Sequence, residues 1–178
     1  EFVDGATDEQ YEAAMLAAIE AQTRVIFIAN PNNPTGTFLP GAALEGFLAK
    51  VPRHVLVVLD EAYTEYLAPE QRYDSIAWLE RFPNLLVSRT FSKAYGLAGL
   101  RVGYGIAHPE VADLMNRVRQ PFNVNSLALT AARAALDDDA HVARSRDVNA
   151  RGLVQLGEGL AALGIKTIPS AGNFVLAD

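Results

Sequence analysis

Along residues 8–21 apolar side chains recur at Tyr11, Ala14, Met15, Ala18 and Ile19, the spacing of one helix face, with Thr7 or Asp8 placed to cap the start. The pattern then changes. Val25-Ile26-Phe27-Ile28-Ala29 is a continuous apolar run of strand length, and runs of this kind between helices belong to parallel sheets covered on both faces. The alternation continues downstream, predicting a helix over 41–49, a strand over 54–59, a helix near 75–81, and strands over 85–88 and 100–106. Such repeated βα units imply an α/β layered fold, a mostly parallel sheet with right-handed crossovers. From Pro109 onward the pattern is helical, over 109–118, 126–136 and a long stretch near 140–163, with Asp137-Asp138-Asp139 as a helix-end turn. Lys166-Thr167-Ile168 and a final strand close the chain. A β-poor tail reached through a long helix predicts entry into a second, smaller α/β domain, dividing the chain at residues 1–138 and 139–178.

Composition narrows the classes of function. With 15 basic and 21 acidic residues the 178-residue chain carries a formal charge of −6, which disfavours a broad phosphate-neutralising face and hence a nucleic-acid partner. The absence of cysteine excludes disulfides, thiolate metal sites and a cysteine nucleophile. No apolar run approaches the roughly 18 to 20 residues that cross a bilayer, and Glu1-Phe2-Val3-Asp4 lacks the basic region of a signal peptide. A cytoplasmic protein with no membrane partner is expected. His54, His108 and His141 are far apart in sequence, so no metal is expected. The chain starts at Glu1, and Asn173-Phe174-Val175-Leu176-Ala177-Asp178 reads as a strand with nothing after it. A fragment of a longer protein, lacking part of its active site, is the expectation that follows.

In open α/β sheets ligands bind beyond the carboxyl ends of the strands. After the first strand comes Asn30-Pro31-Asn32-Asn33-Pro34-Thr35-Gly36, after the second Asp60-Glu61-Ala62-Tyr63, and after the third Ser88-Arg89-Thr90-Phe91-Ser92-Lys93. Any one of these sets could be a turn, a cap or a solvated surface; their recurrence at three successive strand ends points to a site. A lysine attacks a carbonyl when desolvation or neighbouring cations favour its neutral form, and Lys93 lies near Arg89 and Arg101 in the sequence. Thr90 and Ser92 hydroxyls with the Arg101 guanidinium fork could hold a phosphate dianion. Asp60 could keep a pyridine nitrogen protonated, and Asn33 and Tyr63 could donate to a ring oxygen. Together these residue types describe a pyridoxal 5′-phosphate site. No dinucleotide fingerprint competes, because Gly103-Tyr104-Gly105 is followed by Ile106-Ala107-His108. Trp78 is read as packing a helix on the sheet, and Arg117 and Arg119 as solvated helix-end charges.

Asn33-Pro34-Thr35-Gly36, Asp60-Glu61-Ala62-Tyr63 and the run from Ser92-Lys93 to Arg101-Val102-Gly103-Tyr104 closely resemble the fold type I, aspartate aminotransferase-like family of pyridoxal-phosphate enzymes, in their order and in both steps, Asp60 to Tyr63 and Lys93 to Arg101. Within it, Gln120-Pro121-Phe122-Asn123-Val124-Asn125 and Pro169-Ser170-Ala171-Gly172-Asn173-Phe174 are most similar to the histidinol-phosphate aminotransferase branch, and also resemble threonine-phosphate decarboxylases. The resemblance implies the three-layer large domain of these transferases. It implies that Lys93 holds the cofactor covalently and moves protons, that Asp60 pairs with the ring nitrogen, that Asn33 and Tyr63 contact the ring oxygen, and that Thr90, Ser92 and Arg101 hold the phosphate. It further implies an amino-acid or amino-alcohol phosphate and a keto acid as substrates, and a homodimer. A decarboxylase of a phosphorylated amino acid, or an inactive cofactor-domain fragment, are the alternatives.

Overall fold

The computed structural model describes residues 7–178; the acidic start Glu1-Phe2-Val3-Asp4 lies outside them. Helix α1 (Asp8–Ala17) opens on a reciprocal cap, in which Thr7 Oγ1 accepts from Gln10 N and Gln10 Oε1 accepts from Thr7 N. It stops four residues short of the end that its periodicity predicts. Strand β1 (Val25–Ala29), helix α2 (Gly41–Lys50), β2 (Leu56–Asp60), β3 (Leu85–Thr90) and β4 (Gly103–Ala107) follow, forming one sheet in the order β1-β2-β3-β4. The first three strands are parallel, as expected of βα units. β4 runs antiparallel to β3, with Arg89 opposite Tyr104. Only a single 3-10 turn, Ala98–Leu100, separates β3 from β4. A connection without a crossover helix brings the chain back alongside the strand it has just left.

One face of the sheet supplies the core. Ile28, Val57, Leu59, Leu85 and Val87 are buried there against Leu44, Phe47 and Leu48 of α2, with Met15 and Leu16 of α1 at the margin. Each fully buried Leu or Phe contributes about 1.5–3 kcal/mol. Residues 75–81 form a 3-10 helix, Ala77–Glu80, and not the expected α-helix, because Asp74 Oδ1 accepts from both Ile76 N and Ala77 N and tightens the turn. Trp78 packs there as expected, stacked on Tyr73 with centroids 5.1 Å apart. The other face of β1 differs from the expectation of two-sided cover. Phe27 is 77% exposed, since β1 is an edge strand and no described element lies over it.

After β4 come α3 (Pro109–Val118), α4 (Ser126–Leu136) and α5 (Asp139–Ala162), matching the helical pattern. Ala128 and Ala132 of α4 pack on Phe91 and Val102, with Tyr95, Leu97 and Tyr104 around them. This second cluster holds the segment that carries Lys93. Asp138 caps α5 by accepting from His141 N. The long helix leads to β5 (Thr167–Ile168) and β6 (Leu176–Ala177), an antiparallel pair, so the last strand has a partner within the chain. Among the described residues no helix is long and apolar enough to cross a membrane.

Candidate active site

The loop leaving β1 is fixed by its own amides. Asn30 is buried; its Oδ1 accepts from Leu39 N at 2.7 Å, and its Nδ2 donates to Leu39 O and to the Tyr73 hydroxyl, each at 3.0 Å. Asn32 N donates to Thr37 O and Gly36 N to Asn32 O, both at 2.8 Å. The Asn30-Pro31 and Asn33-Pro34 bonds are cis. Thus braced, the loop presents Asn33, whose Nδ2 donates to the Tyr63 hydroxyl at 2.8 Å. Tyr63 follows the end of β2 and is only 5% exposed. Lys93, three residues past β3, places Nζ over the Tyr63 ring at 5.2 Å from its centroid, within cation–π range.

Three of the seven expected site residues, Asn33, Tyr63 and Lys93, are therefore in direct contact. Asp60 ends β2 beside Ala29 and Ser88, its Oδ1 accepting from Ala62 N. Thr90 ends β3, and its Oγ1 accepts from Ser92 N at 3.1 Å. Arg101 has a left-handed backbone (φ 52°), and its exposed guanidinium donates through Nη1 to Ala98 O at 2.9 Å. No contact joins it to Thr90 or Ser92 among the described residues.

Arg89 departs from its expected role as a cation beside Lys93. Its Nε and Nη2 both reach Glu61 Oε2, at 2.9 and 2.8 Å, and Glu61 is 1% exposed. The charge is spent on a buried carboxylate. Glu65 sits nearby with Oε2 buried and unpartnered. Burial, with Glu61 adding repulsion, pushes its carboxyl up to about 7 against the opposing pull of a backbone hydrogen bond and Arg89. Burial, followed by the charge of Glu65, likewise raises the Tyr66 phenol, and raises that of Tyr95 to about 12.

Because the folded state holds the Glu65 proton more tightly than the unfolded chain, the stabilisation is complete below the ordinary Glu value of 4.5 and disappears as pH rises through about 7. The loss amounts to about 3 kcal/mol. Denaturant midpoints measured from pH 4.5 to 8 should therefore fall less steeply in Glu65→Gln than in the unmodified chain; parallel profiles would contradict this origin.

A segment beyond α5 closes the site from the other side. Ala171 N donates to Gly36 O at 2.8 Å, and Gly36 (φ +77°) has no space for a side chain, since a Cβ there would lie 2.3 Å from Ser170 Oγ. Phe174 meets Tyr63 edge-on, and Asn173 Nδ2 approaches the Tyr66 hydroxyl at 3.5 Å. Phe174, Tyr66 and the Glu61–Arg89 pair escape a reading by strand ends. The sequence signal for Phe174 is the Pro169–Phe174 segment that carries part of the family resemblance, with the small, turn-forming run Ser170-Ala171-Gly172 before the ring.

The arrangement offers an amine, a hydrogen-bonded phenol and a strand-end carboxylate beyond the carboxyl ends of the parallel strands β1 to β3. The family profile "Aminotransferase class I and II" matches residues 6–178. The chain belongs to this family. Among curated relatives, histidinol-phosphate aminotransferase 1 of Thiobacillus denitrificans is 71% identical over 163 residues, covering 92% of this chain and 42% of that one. Among solved structures, histidinol-phosphate aminotransferase from Sinorhizobium meliloti in complex with pyridoxal-5′-phosphate shares 34% identity and a TM-score of 0.88, over 99% of this chain and 47% of that one. L-threonine-O-3-phosphate decarboxylase from Porphyromonas gingivalis shares 26% identity and a TM-score of 0.76, over 88% of this chain and 48% of that one. The chain spans less than half the length of each of these relatives. The fold read from the sequence, α/β with a mostly parallel sheet, is that of the family.

Proposed function

We propose that the chain supplies the cofactor centre of a pyridoxal-phosphate-dependent aminotransferase that moves an amino group between an amino-alcohol phosphate of the histidinol-phosphate type and 2-oxoglutarate. The observation that carries this reading is the position of Lys93 Nζ over the Tyr63 ring at 5.2 Å while Asn33 holds the Tyr63 hydroxyl at 2.8 Å. The donor set fits the cofactor. Among the described residues no carboxylate pairs with Lys93, so its amine is available to an aldehyde. Asn33 donates to the phenolic oxygen of Tyr63, which leaves the Tyr63 O–H free to donate outward to a ring oxygen. Arg101 uses Nη1 on Ala98 O, and its other N–H groups, with the Thr90 and Ser92 hydroxyls, would hold a phosphate.

When bound, pyridoxal 5′-phosphate supplies an aldehyde and an electron-withdrawing ring that delocalises negative charge. Lys93 Nζ accepts the proton lost from the substrate α-carbon, a role for which it must lie within hydrogen-bond reach. Asp60 would supply a fixed negative charge to the ring nitrogen, and Tyr63 and Asn33 would fix the ring's orientation. Residues 1–138 would form the large cofactor domain, and residues 139–178 the connecting helix and the start of the small domain. The same reading takes the protein to be a cytoplasmic homodimer; for the dimer, exposed Val118, Phe122 and Leu127 around the turn from α3 to α4 offer apolar surface.

Titration with pyridoxal 5′-phosphate should generate a visible absorption band, and histidinol phosphate with 2-oxoglutarate should yield glutamate; light scattering of the same preparation should report two chains per particle. Absence of any band would favour the inactive-fragment reading, and a monomeric mass would remove the dimer. Carbon dioxide released from a phosphorylated amino acid would favour the decarboxylase, a reading supported by the 0.76 TM-score but at 26% identity.

A further inference from the structure

Tyr63 is held at three places. Its hydroxyl accepts from Asn33, its ring lies under Lys93 Nζ, and its third neighbour is Phe174, at 5.3 Å between centroids with an interplanar angle of 76°. Phe174 is itself tethered by its segment. Ala171 N donates to Gly36 O, Gly172 N to Ser170 Oγ at 3.1 Å, and Asn149 Nδ2 of α5 to Gly172 O at 2.9 Å. The same loop that displays Asn33 therefore receives the backbone of the segment ending in Phe174. Gly36 permits the approach, because any side chain there would overlap Ser170.

We infer that Phe174 is a positioning residue that sets the tilt of the Tyr63 ring between Asn33 and Lys93, so that residues 169–174 shape the cofactor pocket from outside the main sheet. This rests on the cofactor reading proposed above. Aromatic pairs prefer the edge-to-face arrangement because a positive ring edge meets a negative face. Here that preference restricts rotation of the phenol. Since Asn33 occupies the phenolic oxygen, the direction of the remaining O–H follows the ring's tilt, and so does the distance from the ring face to Lys93 Nζ. Loss of the ring at position 174 should thus reach the cofactor only through Tyr63.

Phe174→Leu keeps an apolar side chain and removes the ring; Phe174→Tyr keeps the ring. On the cofactor-loaded protein we expect Phe174→Leu to weaken pyridoxal 5′-phosphate binding roughly two- to tenfold and to move the pH midpoint of the visible band, with Phe174→Tyr restoring both. In a Tyr63→Leu background, Phe174→Leu should add little, the non-additivity expected of groups acting through one contact. If Phe174→Leu does not fold, Gly36→Ala displaces the same segment through Ser170 and should produce the same two shifts. Unchanged affinity and midpoint, or an undiminished effect without the Tyr63 ring, would overturn the inference. An unmutated protein with no visible band would instead overturn the cofactor reading.

Discussion

In Lys93→Ala protein, turnover is expected to fall by roughly four orders of magnitude, and the visible band of the bound cofactor should vanish. The size follows from two losses in one side chain, since in the proposed function the amine is both the covalent anchor and the group that carries the substrate's proton, and positioned proton transfer alone contributes about 10²–10⁴-fold. The geometry gives no substitute. Lys93 is the lysine over Tyr63, and the nearest cation in sequence, Arg89, is bound to Glu61 at 2.8 Å. Asp60→Ala provides the contrast. In the proposed function its carboxylate acts chiefly where charge develops during the reaction, so kcat should fall roughly 10²–10³-fold with a much smaller change in cofactor affinity. Stopped-flow absorbance and steady-state rates on the two variants separate these roles. A band that survives Lys93→Ala and disappears with another lysine would end the assignment, and full activity in Asp60→Ala would end that of the carboxylate.

The strands were legible because each is an apolar run of the right length beside a helix pattern, and the polar residues after them could be placed without knowing the sheet order. Burial was less legible. Phe27 has the composition of a covered strand and stands open at the sheet edge, because a hydrophobic pattern records what a residue requires and not which neighbour supplies it. Lys93, Tyr63 and Asn33 were recoverable from short motifs, each fixed locally by its own turn. Arg89 was not, since its partner Glu61 lies just past the end of the adjacent strand and local order makes the guanidinium look free. Phe174 lay further still from the strand-end rule, arriving at Tyr63 only after α5 and a turn.

The Glu61–Arg89 pair also carries the largest effect expected on stability. The Glu61 carboxylate is 1% exposed in the unmodified chain, and in Arg89→Ala one of its oxygens already lacks a partner and the other loses both of its guanidinium contacts. Removing one member of a buried ion pair costs about 3–5 kcal/mol, which for a chain of this size lowers the thermal midpoint by roughly 6–20 °C. Arg89 also supplies the attraction that partly offsets burial at Glu65, so its loss should steepen the fall in stability as pH rises toward neutrality. Glu61→Gln should be milder. The Arg89 side chain is 23% exposed and can turn its charge toward water, whereas the Glu61 carboxylate has no such exit. Replacing both by apolar residues of similar volume should recover most of the loss, because desolvation of two charges then no longer opposes folding. Thermal melts of the two single variants and the double variant test the sequence of effects. Equal and small losses in both single variants would show that the pair contributes little, and a double variant no better than Arg89→Ala would show that the loss comes from packing and not from a stranded charge.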